Sequence, residues 1–269
     1  MVEDLLTIQR PISSEIQRFE VDYLAIMTEA VAPLKNILHY VSEVHGKRLR
    51  PMAVFLSARL FGEVAEETYR SALFVEMLHT ASLIHDDIVD DSDVRRGRDS
   101  LHVRWNKPSA VLTGDYILAK AITLLATPET LPILKEMLGT ALSMSEGELG
   151  QKAEDRGPKT EEAYLELIER KTALLFRSCC VAGAMSVNAP ETEVQQLADF
   201  GLNLGLVFQM RDDILDHDDL GSACFAEKLM PVYLDKTLKA LEKLKSATTN
   251  HQILASLRDM AVFCAQRQS

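Results

Sequence analysis

Two short acidic runs carry the chemistry that can be read from this chain. The first is Leu83-Ile84-His85-Asp86-Asp87-Ile88-Val89-Asp90, followed by Asp91, Asp93 and the pair Arg95-Arg96. The second, far along the chain, is Phe208-Gln209-Met210-Arg211-Asp212-Asp213-Ile214-Leu215-Asp216. Both place Asp-Asp-x-x-Asp at the end of an apolar, helix-like stretch. Residues four apart share a helix face, so Asp86 and Asp90 project together, with Asp87 beside them. Like charges at that spacing repel, and a cation relieves the repulsion. Oxygen-only ligands suit magnesium, which keeps several waters and binds through one or two carboxylates plus substrate phosphates. A single such run is as well explained by a solvated acidic helix end. Two of them facing each other would hold metals on both sides of a polyphosphate.

A chain of net charge −11 must reverse its sign locally to bind such a group. Two unit charges 4 Å apart repel by roughly 4 kcal/mol at an effective dielectric of about 20. Candidate cations lie at three places. Arg95 and Arg96 follow the first cluster, and arginine's planar fork takes phosphate oxygens in pairs. Gly46-Lys47-Arg48-Leu49-Arg50-Pro51 reads as a helix junction, a favourable place for an anion. Lys171-Thr172 interrupts an otherwise apolar helix. His79 lies two turns before Asp86 on roughly the same face. Each has an ordinary reading when taken alone: neutralisation of the aspartates, surface charge, a snorkelling lysine, a satisfied helix histidine.

In this order and at these spacings, the motifs resemble those of the trans-polyprenyl diphosphate synthases, from about residue 35 to residue 221. That family joins isopentenyl diphosphate to an allylic diphosphate. The resemblance implies an all-α, single-domain bundle of the isoprenoid-synthase type around a central cavity, spanning 1–269. It implies magnesium, as a cluster of three ions, with Asp86, Asp87, Asp90, Asp212, Asp213 and Asp216 as the metal set. Lys47 and Arg50, with Arg48 and His79, would hold isopentenyl diphosphate. Arg95 would contact the allylic diphosphate and Arg96 the isopentenyl one. Lys171, Thr172 and Gln209 would line the allylic diphosphate and the developing cation, and Phe208 would pack near the isoprenoid. The ionising bond would be assisted by metals on Asp86, Asp90 and Asp212, with no protein base. Ala81 and Ser82, five and four residues before Asp86, sit where the family uses aromatic residues to close the channel floor. Small residues there imply an open channel and a long product of the quinone side-chain kind, unless Leu78, Val75 or the helix near Leu112 caps it sooner. Short-chain farnesyl or geranylgeranyl synthesis is the alternative. A terpene cyclase would not need two diphosphate sites. The family is usually homodimeric.

The elements that must carry these residues read as helices throughout. Apolar positions recur at helical spacing over 12–45, broken at Pro33. A nearly all-apolar helix spans 51–61, and one over about 66–91 delivers the first cluster. Residues 92–107 read as a charged loop, and Pro108 opens a helix to about 126. Thr127-Pro128-Glu129 reads as the start of the next helix, to about 150. Thr160 caps a helix carrying Lys171, and a break at 188–191 precedes the helix that ends in the second cluster. Nothing alternates like a strand. The 47% hydrophobic composition with only 12 Gly and 9 Pro favours one large helical domain. The negative charge excludes nucleic acid as the main partner. Met1-Val2-Glu3-Asp4 does not open a signal peptide, and no apolar run is long enough to span a membrane. Cys179, Cys180, Cys224 and Cys264 lack zinc or redox spacing, which suits reduced thiols in the cytoplasm.

One departure stands out. After the second motif the family continues with Leu-Gly-Lys-Pro and a further segment whose lysine contacts the allylic diphosphate. Here Leu220-Gly221 runs into Ser222-Ala223-Cys224, and that segment is missing at about 222–225. Lys228 is the next lysine and is not assigned the role. A non-catalytic regulatory subunit of a synthase is the reading this departure allows.

Overall fold

The computed structural model describes residues 5–43, 46–153, 158–216 and 222–268. Its helices are α1 (Leu5–Gln9), α2 (Ser13–Thr28), α3 (Leu34–Ser42), α4 (Leu49–Phe61), α5 (Glu66–Val89), α6 (Leu101–Arg104) and α7 (Lys107–Leu125). They continue as α8 (Leu131–Ala153), α9 (Glu161–Ile168), α10 (Leu174–Ser186), α11 (Glu191–Asp216), α12 (Ser222–Leu244) and α13 (His251–Gln266). The all-α expectation holds. Helices α4 and α10 are apolar on nearly every face and form the centre. Met52 to Leu56 of α4 and Cys179 to Ala182 of α10 are essentially fully buried, apart from a trace of exposure at Val181. Such helices must be covered all round. Accordingly α10 packs against α4, α5, α8 and α11, while α7 lies along α5 and α12 along α11.

Local chemistry sets several boundaries. Asn106 accepts the Ser109 N–H at 2.8 Å and starts α7 with Pro108 in its first turn. Thr160 accepts the Ala163 N–H and starts α9 as its sequence suggested. Other boundaries differ from expectation. Helix α8 begins at Leu131, because Thr130 turns back to donate to the Leu125 carbonyl and meets Thr127 at 3.0 Å. Within 92–107 the chain forms a small antiparallel hairpin, β1 (Val94–Arg95) with β2 (Arg98–Asp99), and then α6. Its two-residue turn, Arg96-Gly97, has φ of 51° and 76°. Positive φ at both positions is the type I′ pattern that suits right-twisted strands.

The largest departure is at Lys171. The helix expected there is broken by a π-helical turn, Glu169–Ala173, between α9 and α10. Glycines on two neighbours make room for it. A Cβ on Gly205 of α11 would lie 2.5 Å from the Ala173 Cα, and one on Gly147 of α8 would lie 2.7 Å from the Arg170 Cβ. Inserted π turns are frequent at functional sites. Farther on, α12 begins at Ser222, where the missing segment was expected; residues 217–221 lie outside the described residues. Lys228 pairs with Glu161.

Gly205→Ala should destabilise the protein by about 1–3 kcal/mol, because the backbone of the π turn has to move. Gly139→Ala, whose added Cβ would meet nothing, should be neutral or stabilising by up to about 1 kcal/mol. Urea midpoints of the two variants check this.

Candidate active site

Helix α5 delivers the first aspartates in its last turn, and they do not act alike. Asp87 is 5% exposed and takes two donors from Arg95, Nε at 2.8 Å and Nη2, both on Oδ1. The turn that ends α5, with Asp91 at φ 48° and the Ser92 N–H on the Asp87 carbonyl at 2.9 Å, brings Arg95 back to the helix. Asp86 and Asp90 are therefore left as the pair on the other face. The Asp86 carboxyl is pushed up to about 6, first by burial, then by Glu148 and Asp90, against the opposing pull of Lys171 and Arg95. Glu148 of α8 and Lys171 of the π turn are thus among the charges that act on Asp86.

The second cluster shows the same division. Asp213 accepts the Tyr164 hydroxyl at 2.6 Å on Oδ2 and the Gln209 amide at 2.9 Å on Oδ1. Gln209 in turn accepts the Thr172 hydroxyl at 2.7 Å. Asp212 instead pairs with Arg267 at 2.6 Å, just past the end of α13. Burial raises the Asp212 carboxyl, and Arg267 opposes the shift. Arg267 is 7% exposed, donates to the Phe208 carbonyl at 3.1 Å, and lies 4.0 Å from the Phe208 ring centroid. Asp216 is exposed at the end of α11.

The cations gather between these clusters. Burial, followed by the nearby Arg267, lowers the Lys47 ammonium pKa. Arg50 stacks over Phe176 at 5.0 Å and Phe208 at 5.9 Å, with a buried Nε that has no hydrogen-bond partner. His79 is held well below its usual range by burial and by Arg50, Arg96, Arg95 and Arg48, so its imidazole is neutral. Gly46 backs the Arg96 guanidinium, since a Cβ there would lie 3.1 Å from Nη1.

Arg48 departs from the role expected for it. Its guanidinium is buried, with Nε and Nη2 on Glu20 at 2.7 and 3.1 Å and Nη1 on Glu76 at 2.5 Å. Tyr23 lies 4.7 Å from it. With all three nitrogens engaged, Arg48 joins α2 to α5 and holds its own left-handed backbone (φ 54°). Asp87 and Asp213, expected as metal ligands, are likewise held by protein donors.

Ala81 is 2% exposed, and Ser82 is half-buried with its hydroxyl on the His79 carbonyl at 2.9 Å. Val75 and Leu78 lie buried beneath them, whereas Leu112 is 67% exposed on α7 and does not face inward. A cavity of about 90 Å³ opens on the Asp87 side of α5, lined by Tyr23, Tyr40, His79, Leu83, Arg95 and Arg96 among others.

Among the described residues, no three carboxylate, imidazole or thiol side chains converge tightly enough to hold a metal unaided. The donors at Asp86, Asp90 and Asp212 are nonetheless all oxygen, and Glu148 adds to the negative charge that acts on Asp86. This fits a hard cation that brings phosphate ligands with it. Glu148, Tyr164 and Arg267 belong to the site and were not picked out from the sequence. Tyr164 lies two turns before Lys171, and Glu148 sits in an unremarked Glu146-Gly147-Glu148 run. Arg267 has no sequence signal, because only the return of α13 brings it there.

The sequence model for "polyprenyl synthetase" matches residues 31–221. The chain is 36% identical over 219 residues to an octaprenyl diphosphate synthase of Haemophilus influenzae, covering 80% of this chain and 67% of that protein. It is 40% identical over 194 residues to a geranylgeranyl diphosphate synthase of Sulfolobus acidocaldarius, covering 68% of this chain and 59% of that one. The matched stretches thus span about three-fifths to two-thirds of these relatives' lengths. A crystal structure of a polyprenyl synthase from Caulobacter crescentus, complexed with calcium and isoprenyl diphosphate, superposes with a TM-score of 0.90 at 25% identity, covering 100% of this chain and 99% of that one.

A raised acid pKa makes the folded protein less stable as pH rises from the unfolded value of about 4 towards 6. In divalent-free buffer, Asp86→Asn should therefore exceed the parent in stability at pH 7, by about 1–2 kcal/mol after allowance for solvent screening. At pH 4 the two should be equal. Urea unfolding at both pH values checks this.

Proposed function

The chain belongs to the polyprenyl synthetase family, and from that premise we propose that it is a prenyltransferase joining isopentenyl diphosphate head-to-tail to an allylic diphosphate. The observation that carries this reading is the π turn between the two aspartate clusters. Its Thr172 is linked through Gln209 to Asp213, and the charge of its Lys171 acts on Asp86.

Lys47, Arg50 and Arg96, with the neutral His79 as a hydrogen-bonding partner, hold the isopentenyl diphosphate. Asp86, Asp90 and Asp212, with Asp216 as a further carboxylate, would hold three Mg²⁺ ions together with the allylic diphosphate. When bound, these ions supply Lewis-acid stabilisation of the leaving diphosphate. Arg95 anchors Asp87 and leaves Nη1 for the allylic group. Lys171 places its ammonium where charge grows as the carbon–oxygen bond ionises. The C3–C4 double bond of isopentenyl diphosphate then attacks the allylic cation, held close by the cationic set. The departing diphosphate takes the proton lost from C2, so no side chain serves as base. Phe208 and the apolar helices around it keep water from the cation.

The product is long-chain on this reading, because Ala81 and Ser82 leave the channel open below Asp86. A geranylgeranyl-length product is the second reading, favoured by Val75 and Leu78 beneath them. The partner is a second copy of the chain. Leu131, Leu138, Leu142 and Leu149 are all exposed and lie along one face of α8, which is the kind of surface a homodimer covers. Among the described residues no helix is long and apolar enough to cross a membrane. A cytoplasmic setting suits the free cysteines.

Incubation with farnesyl diphosphate, isopentenyl diphosphate and Mg²⁺, with a chelator control and products sized by mass spectrometry, tests the reading. Chelator-sensitive polyprenyl diphosphates are expected, and no product from the folded full chain would overturn it. Asp86→Asn and Asp212→Asn should each lower kcat by about 100- to 1,000-fold, the usual loss for one preorganised electrostatic partner. Ala81→Phe should shorten the product, and an unchanged length would refute the open floor. Leu142→Glu should shift the protein from dimer to monomer in light scattering.

A further inference from the structure

Tyr164 enters none of the steps above, yet it is completely buried and its one polar atom is aimed at the second aspartate cluster. Its ring packs against Phe225 of α12, with centroids 5.8 Å apart. Ile168, Ala173, Leu206 and Met210 complete a small apolar cluster around it. From there the hydroxyl reaches Asp213, 49 residues away in sequence, at 2.6 Å. Burial and the neighbouring carboxylate both raise the phenol's pKa, so the hydroxyl keeps its proton and remains a donor.

The direction of each bond in this cluster is fixed by chemistry. An ionised carboxylate can only accept, and Tyr164 and Gln209 each give Asp213 one hydrogen. The Gln209 amide must then turn its NH₂ to Asp213 and its carbonyl to Thr172. A flipped amide would set oxygen against oxygen. The Thr172 hydroxyl is left with one role, donation to that carbonyl at 2.7 Å. The chain of bonds therefore runs from α9 through α11 to the π turn, and its far end is the neighbour of Lys171.

We propose that Tyr164 is a positioning residue: its hydroxyl clamps Asp213 so that Gln209 and Thr172 are held in one orientation and the π turn that carries Lys171 is fixed. Asp213 is accordingly an anchor of the π turn, and the metal set is drawn from the other aspartates. This rests on the prenyl-transfer reading for its kinetic consequence, but the bond chain itself does not. Outer partners that orient a site group typically contribute about 10- to 100-fold in activity.

Tyr164→Phe removes the hydroxyl and keeps the ring. It should lower kcat roughly tenfold or more, with KM for both diphosphates within about twofold of the parent. Gln209→Leu should lower kcat as well, and the double variant should be no worse than Gln209→Leu alone. Independent, multiplicative losses would overturn the proposal, as would an unchanged kcat in Tyr164→Phe. A readout without turnover uses protein labelled with ¹³C at tyrosine Cζ. The Tyr164 resonance, assigned by its loss in Tyr164→Phe, should shift in Asp213→Asn and in Gln209→Leu. A resonance indifferent to both substitutions would sink the proposal even in an active enzyme. A responsive resonance in a protein that makes no product would uphold the clamp and sink the prenyl-transfer reading instead.

Discussion

The arrangement depends on one electrostatic constraint: carboxylates of the same sign are collected at the ends of two helices and partly withdrawn from water. Removing such charges from solvent costs several kcal/mol per ion unless partners come with them. The fold meets this by dividing each cluster. Asp87 is satisfied by Arg95, and Asp213 by Tyr164 and Gln209, so one carboxylate in each motif has a fixed place in the structure. Asp212 takes Arg267, and the pKa of Asp86 is raised, first by burial and then by Glu148 and Asp90. The same device appears away from the clusters, where Glu20 and Glu76 converge on Arg48. Breaking such a pair on one side leaves an uncompensated charge, which is why these contacts are mutually dependent.

Close packing supplies the second half of the site. The π turn at Glu169–Ala173 lies between α8 and α11, and the absence of side chains at Gly147 and Gly205 is what lets it fit. The turn displaces Lys171 from the position an uninterrupted helix would give it. The apolar centre formed by α4 and α10 is rigid because it is filled on all sides. A lysine mounted on an irregular turn is therefore held against an unyielding background, which favours electrostatic preorganisation.

Much of this was legible in the sequence, and the exceptions have physical causes. The aspartate motifs, the Thr160 cap and the opening of α7 at Pro108 were visible because their chemistry lies within a few residues, whereas the Asn106 cap was read as loop. The hairpin at 94–99 was not, since two-residue strands are too short to show alternation. The π turn was invisible because neighbouring glycines on other helices create it. Arg48 read as a free cation because nothing near it in sequence announces Glu20 and Glu76. Arg267 reaches Asp212 only through tertiary structure. Signals of composition and spacing are local, whereas the partner of a buried charge is often distant.

The differing reach of these partners also bears on how the chain matures during synthesis. Asp87 finds Arg95 eight positions later, through the turn that ends α5, so that pair closes almost as soon as it is made. Tyr164 has already been made when Asp213 appears. Asp212, by contrast, waits for Arg267 about fifty-five residues downstream, which is roughly 3–11 s at ribosomal rates of about 5–20 residues per second. During that interval Asp87 and Asp213 already have their donors, while Asp212 is still without its arginine. A divalent ion in the surrounding medium could serve Asp212 first, and α13 would then dock against an occupied rather than an empty carboxylate.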